Sequence, residues 1–256
     1  MGPLGHIGTY VIKFFEHMGR FGILALQTAR ALTDVSTYAH PTLKQMVRIG
    51  VESLPIVLVT STFTGMVSSL QTFYQLKSAM VPVHTMVGSA VEKMIFLELA
   101  PSLTALVLAG RVGATIAAEL GTMRVTEQID ALETLAFNPV AYLVVPRVLA
   151  GMVMFPVLTI FSMAVGVVGA WVVSVCSGIS SADFLYGMRL FFKPWDVYYG
   201  VIKSVFFGLS IVSVGCYEGF FAEGGAEGVG RATTKAVVVA CLLILMWNYI
   251  LALILL

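Results

Sequence analysis

Charged side chains are concentrated in one segment of this chain, between two long apolar runs. Charged groups are costly inside lipid, so the segment 109–147 must lie in water or against another protein. No histidine or cysteine lies among its acidic residues, so the chemistry they offer is ion pairing with a partner rather than metal binding or catalysis. The seven charged residues are Arg111, Glu119, Arg124, Glu127, Asp130, Glu133 and Arg147.

Two further charged residues, Glu98 and Lys203, lie inside apolar stretches. Ionisable groups within a membrane usually face a cavity or one another. We therefore expect Glu98 and Lys203 to line or brace an internal cavity, and they could do so as a pair. The alternative is an ion pair with a purely structural role.

The sequence contains none of the short motifs that hold nucleotide phosphates or form hydrolytic sites. There is no G-x-x-x-x-G-K-[ST], no H-E-x-x-H and no G-x-S-x-G. The glycines at 224, 225, 228 and 230 are interpreted as a flexible turn. We assign no catalytic residue, cofactor or metal ligand, and an ATP-driven process would need a second polypeptide.

The composition is that of a chain surrounded by lipid. It is 58% hydrophobic and 11% charged, against about 25% charged residues in soluble domains. The net charge of +1 gives no basic field, which argues against nucleic acid as a partner.

The apolar runs predict an all-α integral membrane protein with five transmembrane helices, because about 20 residues cross a bilayer. Pro101 should kink the second span. A cytoplasmic lead-in (1–50) precedes the first span, and polar segments 109–147 and 218–235 follow the second and fourth. The predicted spans are 53–76, 83–108, 148–176, 196–217 and 236–255.

The N-terminal stretch 6–21 predicts an amphipathic helix lying along the membrane surface. Its apolar residues recur with helical period and its basic residues fall on the opposite side. The alternative is the solvated face of a helix in a bundle. The apolar stripe is Ile7, Val11, Phe14 and Met18, and the opposite side carries His6, Lys13, His17 and Arg20.

Lysine and arginine are more frequent on the side that holds the N-terminus, so the N-terminus and both polar segments are predicted to be cytoplasmic. Within 109–147 the sequence predicts a helix that Asn138–Pro139 ends. That helix could transmit force from a cytoplasmic motor or could be a stabilising loop element. The residues predicted to share its apolar face are Ala118, Val125, Ile129, Leu132 and Ala136.

Several apolar side chains in the first span could contact acyl chains. Each could equally face lipid or a neighbouring helix. The candidates are Phe63, Met66, Leu70, Phe73 and Tyr74. Small residues at Gly166, Gly169, Gly215 and Gly219 favour close helix packing.

The stretch AGRVGATIAAELGTMRVTEQIDALE, with NP and PR after it, is similar to the signature of the MlaE/YrbE permease family. FTGMVSSLQ, IKSVFFG and GVGRATTKAVV extend the resemblance over nearly the whole chain. Members of this family are membrane subunits of ABC transporters that move lipids between bacterial membranes.

The resemblance implies a homodimeric inner-membrane permease for phospholipid or a related lipid. It also implies three partners: a cytoplasmic ABC ATPase that binds the ATP, a periplasmic MCE-domain protein, and often a STAS-domain protein. The segment 119–133 would be the coupling helix that docks on the ATPase. The implied coupling residues are Arg111, Glu119, Arg124, Glu127, Gln128, Asp130 and Glu133.

Two other function classes remain open on the sequence. A motor-independent channel or secondary transporter would show inverted repeats and interrupted helices, which we do not find. A membrane-embedded lipid-modifying enzyme would need a clustered acid–base or metal set at the membrane face.

Overall fold

The computed structural model of the protein describes residues 3–31, 39–78 and 83–256, with side-chain positions for 15–31, 39–77 and 86–256. Every regular element in these ranges is a helix. Five continuous helical stretches are long and apolar enough to cross a membrane, so the protein is an all-α membrane protein. These stretches are Ala39–Lys77, Met86–Val125, Val140–Cys176, Pro194–Phe220 and Gly225–Leu255.

Eleven α-helices are found within the described residues, some joined end to end by short 3₁₀ or π segments. Their bounds are α1 Pro3–Ala31, α2 Ala39–Ile49, α3 Leu54–Ser78, α4 Val83–Met94, α5 Ala100–Leu108, α6 Ala114–Val125, α7 Gln128–Thr134, α8 Val145–Cys176, α9 Ser181–Phe191, α10 Pro194–Phe220 and α11 Gly225–Leu255.

The second span is longer than predicted. Instead of ending at residue 108, the helix continues through Arg111 and Glu119 to Val125. π segments at Ile95–Leu99 and Ala109–Gly113 join α4, α5 and α6 into one stretch of 40 residues. Charges do not end this helix because other parts of the chain neutralise them, as described below.

The predicted polar segment 218–235 is mostly helical. Helix α10 runs to Phe220 and α11 begins at Gly225, so only 221–224 separate them. Gly224 and Gly225 have φ of +94° and +68°, which glycine adopts without steric cost. Gly228 and Gly230 lie inside α11, so the flexible turn predicted for all four glycines is wrong for these two.

Helix α1 extends beyond the predicted range to Ala31, and its C-terminal half packs on the bundle. Leu24 is buried, and the rings of Phe21 and Tyr217 meet edge to face. His17, predicted on the solvated side, lies with Nδ1 2.9 Å from the hydroxyl of Tyr217. Met18 is exposed. Arg20 also lies within the described side chains. The remaining residues of the two predicted faces all precede residue 15, so their side chains are not described.

The closest helix contact joins α3 to α8. A Cβ at Gly65 would stand 1.9 Å from the carbonyl oxygen of Gly166, and one at Gly169 would stand 2.5 Å from that of Thr62. The Oγ atoms of Ser61 and Ser162 are 2.7 Å apart in the same interface. Glycine lets the two backbones approach, and the hydroxyls satisfy each other between them.

The α10 glycines have the same function against the second span. A Cβ at Gly215 would stand 3.0 Å from the Gly113 carbonyl oxygen, and one at Gly219 would stand 2.8 Å from that of Ala117. Helix α10 is therefore held tightly against the part of the chain that carries the polar segment.

Candidate functional site

Lys203 and Glu98 form an ion pair inside the bundle. The Nζ of Lys203 donates to Oε2 of Glu98 at 2.9 Å. The Lys203 side chain is fully buried, whereas half of the Glu98 side chain is exposed. The lysine of the pair is therefore shielded from solvent, whereas the glutamate is accessible to it.

The helix around Glu98 offers Lys203 a second acceptor. Pro101 has no N–H and so cannot donate to the carbonyl of Leu97 four residues before it. The Nζ of Lys203 donates to this carbonyl oxygen at 3.1 Å. The ammonium also lies 4.7 Å from the centre of the Tyr199 ring, at a distance suited to a cation–π contact. Lys203 is thus bound on three sides by groups that stabilise its charge.

The other carboxylate oxygen of Glu98 faces α11. The side-chain amide of Asn248 donates to Oε1, and the hydroxyl of Ser102 donates to it at 3.0 Å. This polar cluster of Glu98, Ser102, Lys203 and Asn248 connects the second, fourth and fifth spans. Sequence reasoning missed Ser102 and Asn248, although Ser102 lies one helical turn after Glu98.

A groove of about 370 Å³ runs between α3 and the second span. Its walls are apolar, with Phe63 and Val67 on one side and Leu103 on the other. Polar atoms of α3 face it as well, and the hydroxyl of Ser68 is buried without a hydrogen-bond partner among the described residues. The lining is Phe63, Thr64, Val67, Ser68, Gln71, Met94, Leu99 and Leu103.

Of the five acyl-contact candidates in the first span, only Phe63 lines this groove. Leu70 and Tyr74 are exposed on α3, and Phe73 packs against the core between α4 and α9. Met66 is partly buried away from the groove. Thr64, Ser68 and Gln71 are spaced by four and three residues, which places them on one face of a helix. This spacing could have predicted the polar side of the groove.

The structure does not bring all the predicted cavity residues together. Glu98 contacts Lys203 of α10 and Asn248 of α11. Phe63 and Leu99 line the groove instead. The candidate cavity therefore has two parts within one chain: an apolar groove and a charged cluster on an adjacent face of the second span.

The predicted continuous helix over 119–133 is divided in two. Helix α6 ends at Val125, and Glu127 has φ of +59°, a left-handed conformation that cannot continue an α-helix. Helix α7 then runs from Gln128 to Thr134. Ile129 is fully buried and fixes α7 to the core. Of the predicted apolar face, Val125 and Ala136 are exposed, so one continuous face does not form.

Two of the predicted coupling residues are paired within the chain. Arg111 Nη2 lies 3.2 Å from Oε2 of Glu52, and its other terminal nitrogen donates to Ser53. Glu119 forms ion pairs with Arg48 and with Arg147, the latter at 3.4 Å. These pairs connect the start of the first span, the second span and the start of the third. They brace the bundle, and the charges of Arg111 and Glu119 are paired within the chain rather than free for an ATPase.

The other predicted coupling residues lie around the break. Arg124 and Asp130 form an ion pair across it at 2.5 Å. Glu127, Gln128 and Glu133 are exposed. Leu135 and Phe137, which follow α7, are 68% and 58% exposed. Exposed apolar side chains of this size mark a contact with another protein or with the membrane.

Comparison with known proteins identifies the family. The model of the permease family MlaE matches residues 42–254. A probable ABC transporter permease protein of Rickettsia prowazekii is 39% identical over 95% of this chain and 94% of its own. A similarly named protein of a Synechocystis species is 44% identical over 82% of this chain and 80% of its own.

A third relative carries a more specific name. The intermembrane phospholipid transport system permease protein MlaE of Haemophilus influenzae is 34% identical over 96% of this chain and 94% of its own. Together with the five apolar helices, these matches indicate a multi-pass inner-membrane protein. The chain therefore belongs to the MlaE permease family and is a membrane permease of an ABC transporter.

Proposed function

We propose that this permease moves phospholipid between the inner membrane and a periplasmic MCE-type carrier, driven by a separate ATPase. The observation that carries the proposal is the similarity to the Haemophilus phospholipid-transport permease over almost the full length of both chains. The α3 groove and the Glu98–Lys203 cluster supply the two chemistries that such a substrate requires.

The α3 groove suits an acyl chain. Phe63 and Val67 are 63% and 60% exposed in the single chain, so they present apolar surface to the groove. The Ser68 hydroxyl and Gln71 lie on the same wall and can meet the ester or head-group oxygens. The half-exposed carboxylate of Glu98 offers a polar contact at the adjacent face. A homodimer that places two such faces together would enclose a cavity with oily walls and few charges.

Lipid extraction needs an energy source. Burial of each CH₂ stabilises an acyl chain by about 0.8 kcal/mol, so a two-chain lipid leaves the membrane at a large cost. Closure of the partner ATPase around ATP would supply this energy through the surface around α7. Glu127, Glu133 and the exposed Leu135 and Phe137 lie on this surface. We infer that the N-terminus and this surface are cytoplasmic, in agreement with the lysine and arginine distribution. A STAS-domain protein could complete the assembly.

The docking part of the proposal is tested with Glu133→Lys. Reversal of an exposed acidic charge at the interface should weaken recovery of the ATPase with the tagged permease about tenfold, which corresponds to about 1.4 kcal/mol. The matched control is Glu227→Lys at the start of α11 on the same side of the membrane, where the side chain is 83% exposed. Equal loss in both variants, or none in either, would contradict docking at α7.

The transport part is tested with Glu98→Gln in proteoliposomes that contain the ATPase and the MCE protein. We expect slower ATP-dependent phospholipid transfer while the amount of assembled complex stays the same. Transfer at the normal rate would count against a role for the carboxylate. A permease that purifies without any ATPase and still moves substrate would instead favour the motor-independent transporter.

A further inference from the structure

A second cavity lies at the end of the bundle that we place in the cytoplasm. This α2–α8 cleft is bounded by α2, α6 and the start of α8 and has a volume of about 780 Å³. It shares no lining residue with the α3 groove. It is therefore a separate site.

The lining of the α2–α8 cleft is positively charged. Lys44, Arg48 and Arg147 face it, and Glu119 is the one carboxylate among the described lining residues. Glu119 can compensate a single positive charge although it contacts both arginines. Lys44 is exposed and forms no ion pair with any described residue. Two positive charges, besides any on His40, are left for a ligand.

Arg147 is a cation of the cleft whose side chain is held in place by the surrounding structure. The Arg147 side chain is 8% exposed and donates to the Leu143 carbonyl oxygen at 2.6 Å. Its Nε is buried and has no hydrogen-bond partner among the described residues. A buried N–H without an acceptor is costly, and an anion in the cleft would reduce that cost.

The outer side of α2 is apolar. Leu43 and Val47 of α2, and Val51 in the 3₁₀ segment after it, recur at helical spacing and are between 55% and 61% exposed. Helix α2 belongs to the same apolar stretch as the first span, Ala39–Lys77, so it lies at the membrane boundary. A molecule with a negative head and oily tails could place its head in the cleft and its tails along this stripe. Basic pockets between helices on the cytoplasmic side are known to bind anionic lipid head groups.

We propose that the α2–α8 cleft binds the phosphate of an anionic phospholipid of the cytoplasmic leaflet. Phosphatidylglycerol fits the surplus of positive charge better than zwitterionic phosphatidylethanolamine, in which an ammonium offsets the phosphate. Thr122 and Gln128, on either side of the α6–α7 break, line the same cleft, so the bound lipid would also stabilise the segment at the ATPase surface. The inference depends on the proposed membrane orientation but not on lipid being the transported substrate.

The test is native mass spectrometry of the full chain released from vesicles of equal phosphatidylglycerol and phosphatidylethanolamine. The wild-type chain should retain phosphatidylglycerol preferentially. Lys44→Glu should lower that retention about tenfold, because it replaces one attractive charge near the phosphate with a repulsive one. The matched control, Lys77→Glu at the other end of the same span, should leave retention unchanged.

Three outcomes would overturn the proposal. Equal retention of phosphatidylglycerol by the wild type and by Lys44→Glu would show that the cleft does not bind the lipid. Equal loss in Lys44→Glu and Lys77→Glu would mean that only general charge attraction is involved. Binding of inorganic phosphate alone, with no retained phosphatidylglycerol, would make the cleft a site for a free anion. None of these results depends on transport, so the proposed function would stand or fall separately.

Discussion

The unequal burial of Glu98 and Lys203 gives the two partners unequal importance for stability. Removal of Glu98 leaves a fully buried ammonium with no counter-charge, whereas removal of Lys203 leaves a half-exposed carboxylate. An uncompensated buried charge is costly, and a carboxylate that faces a wet cavity can be hydrated instead. The proposed cavity therefore predicts an order of effects that a sealed structural ion pair would not.

We predict that Glu98→Leu lowers the free energy of unfolding by roughly 3–5 kcal/mol, and that Lys203→Met lowers it by less. The double variant should be more stable than Glu98→Leu alone, because the orphaned charge is gone. Thermal unfolding in one detergent compares the four proteins. If Lys203→Met lowers the free energy of unfolding more than Glu98→Leu does, then the Glu98 carboxylate is not hydrated and does not face the cavity.

Some residue-level features could be foreseen from sequence. Charges isolated in apolar runs singled out Glu98 and Lys203, and the structure pairs them. The partners of Glu119 could not be foreseen, since Arg48 and Arg147 are 71 and 28 positions away and only the packing of three spans brings them together. The left-handed conformation of Glu127 was equally hidden, because glutamate is not a residue type that favours it.

At the scale of elements, the α3–α8 contact depends on the absence of a side chain at one position. We predict that Gly65→Ala destabilises the protein by about 1–3 kcal/mol, since a Cβ there meets the Gly166 carbonyl oxygen at 1.9 Å and one helix must shift. A lower unfolding temperature and faster proteolysis in detergent would both report the shift.

Gly230→Ala is the matched control. Gly230 is also helical, and a Cβ there would meet nothing within 4 Å. Alanine should raise stability by about 0.5–1 kcal/mol, because it restricts the unfolded chain more than glycine does. If Gly65→Ala behaved like Gly230→Ala, the two helices would not be in backbone contact.

The existence of the five spans could be predicted, whereas their lengths could not. Apolar runs locate the part of a helix that lipid surrounds, so a charged residue is interpreted as the end of the helix even where the helix continues. The second span continues past Arg111 and Glu119 because Glu52, Arg48 and Arg147 neutralise these charges within the bundle. The groove was also missed in part, because serine and threonine in an apolar run change hydropathy too little to stand out.

For the whole molecule, the free cysteines report the orientation in the membrane. Cys176 lies at the end of α8 and is exposed, whereas Cys216 is fully buried in α10. With the N-terminus in the cytoplasm, α8 carries the chain outward and Cys176 reaches the periplasmic side. A membrane-impermeant maleimide should label it in intact spheroplasts.

Cys176→Ser should abolish that labelling, and Cys216 should react only after denaturation. Labelling that occurs in inverted vesicles but not in spheroplasts would reverse the topology. The α7 surface would then lie in the periplasm, out of reach of a cytoplasmic ATPase.

The unbroken second span has a mechanical consequence. At about 1.5 Å per residue, its 40 residues form a rod of roughly 60 Å, about twice the thickness of the hydrocarbon layer. A rod pivoting at the membrane surface acts as a lever, and a tilt of about 10° moves an arm of that excess length by roughly 5 Å. Val125, where we propose that the ATPase pushes, and Glu98 lie on one continuous helical backbone with no loop between them. In the proposed coupling, the bending stiffness of this helix would determine how much of the push reaches Glu98, and the two π segments are the places where it would bend most easily.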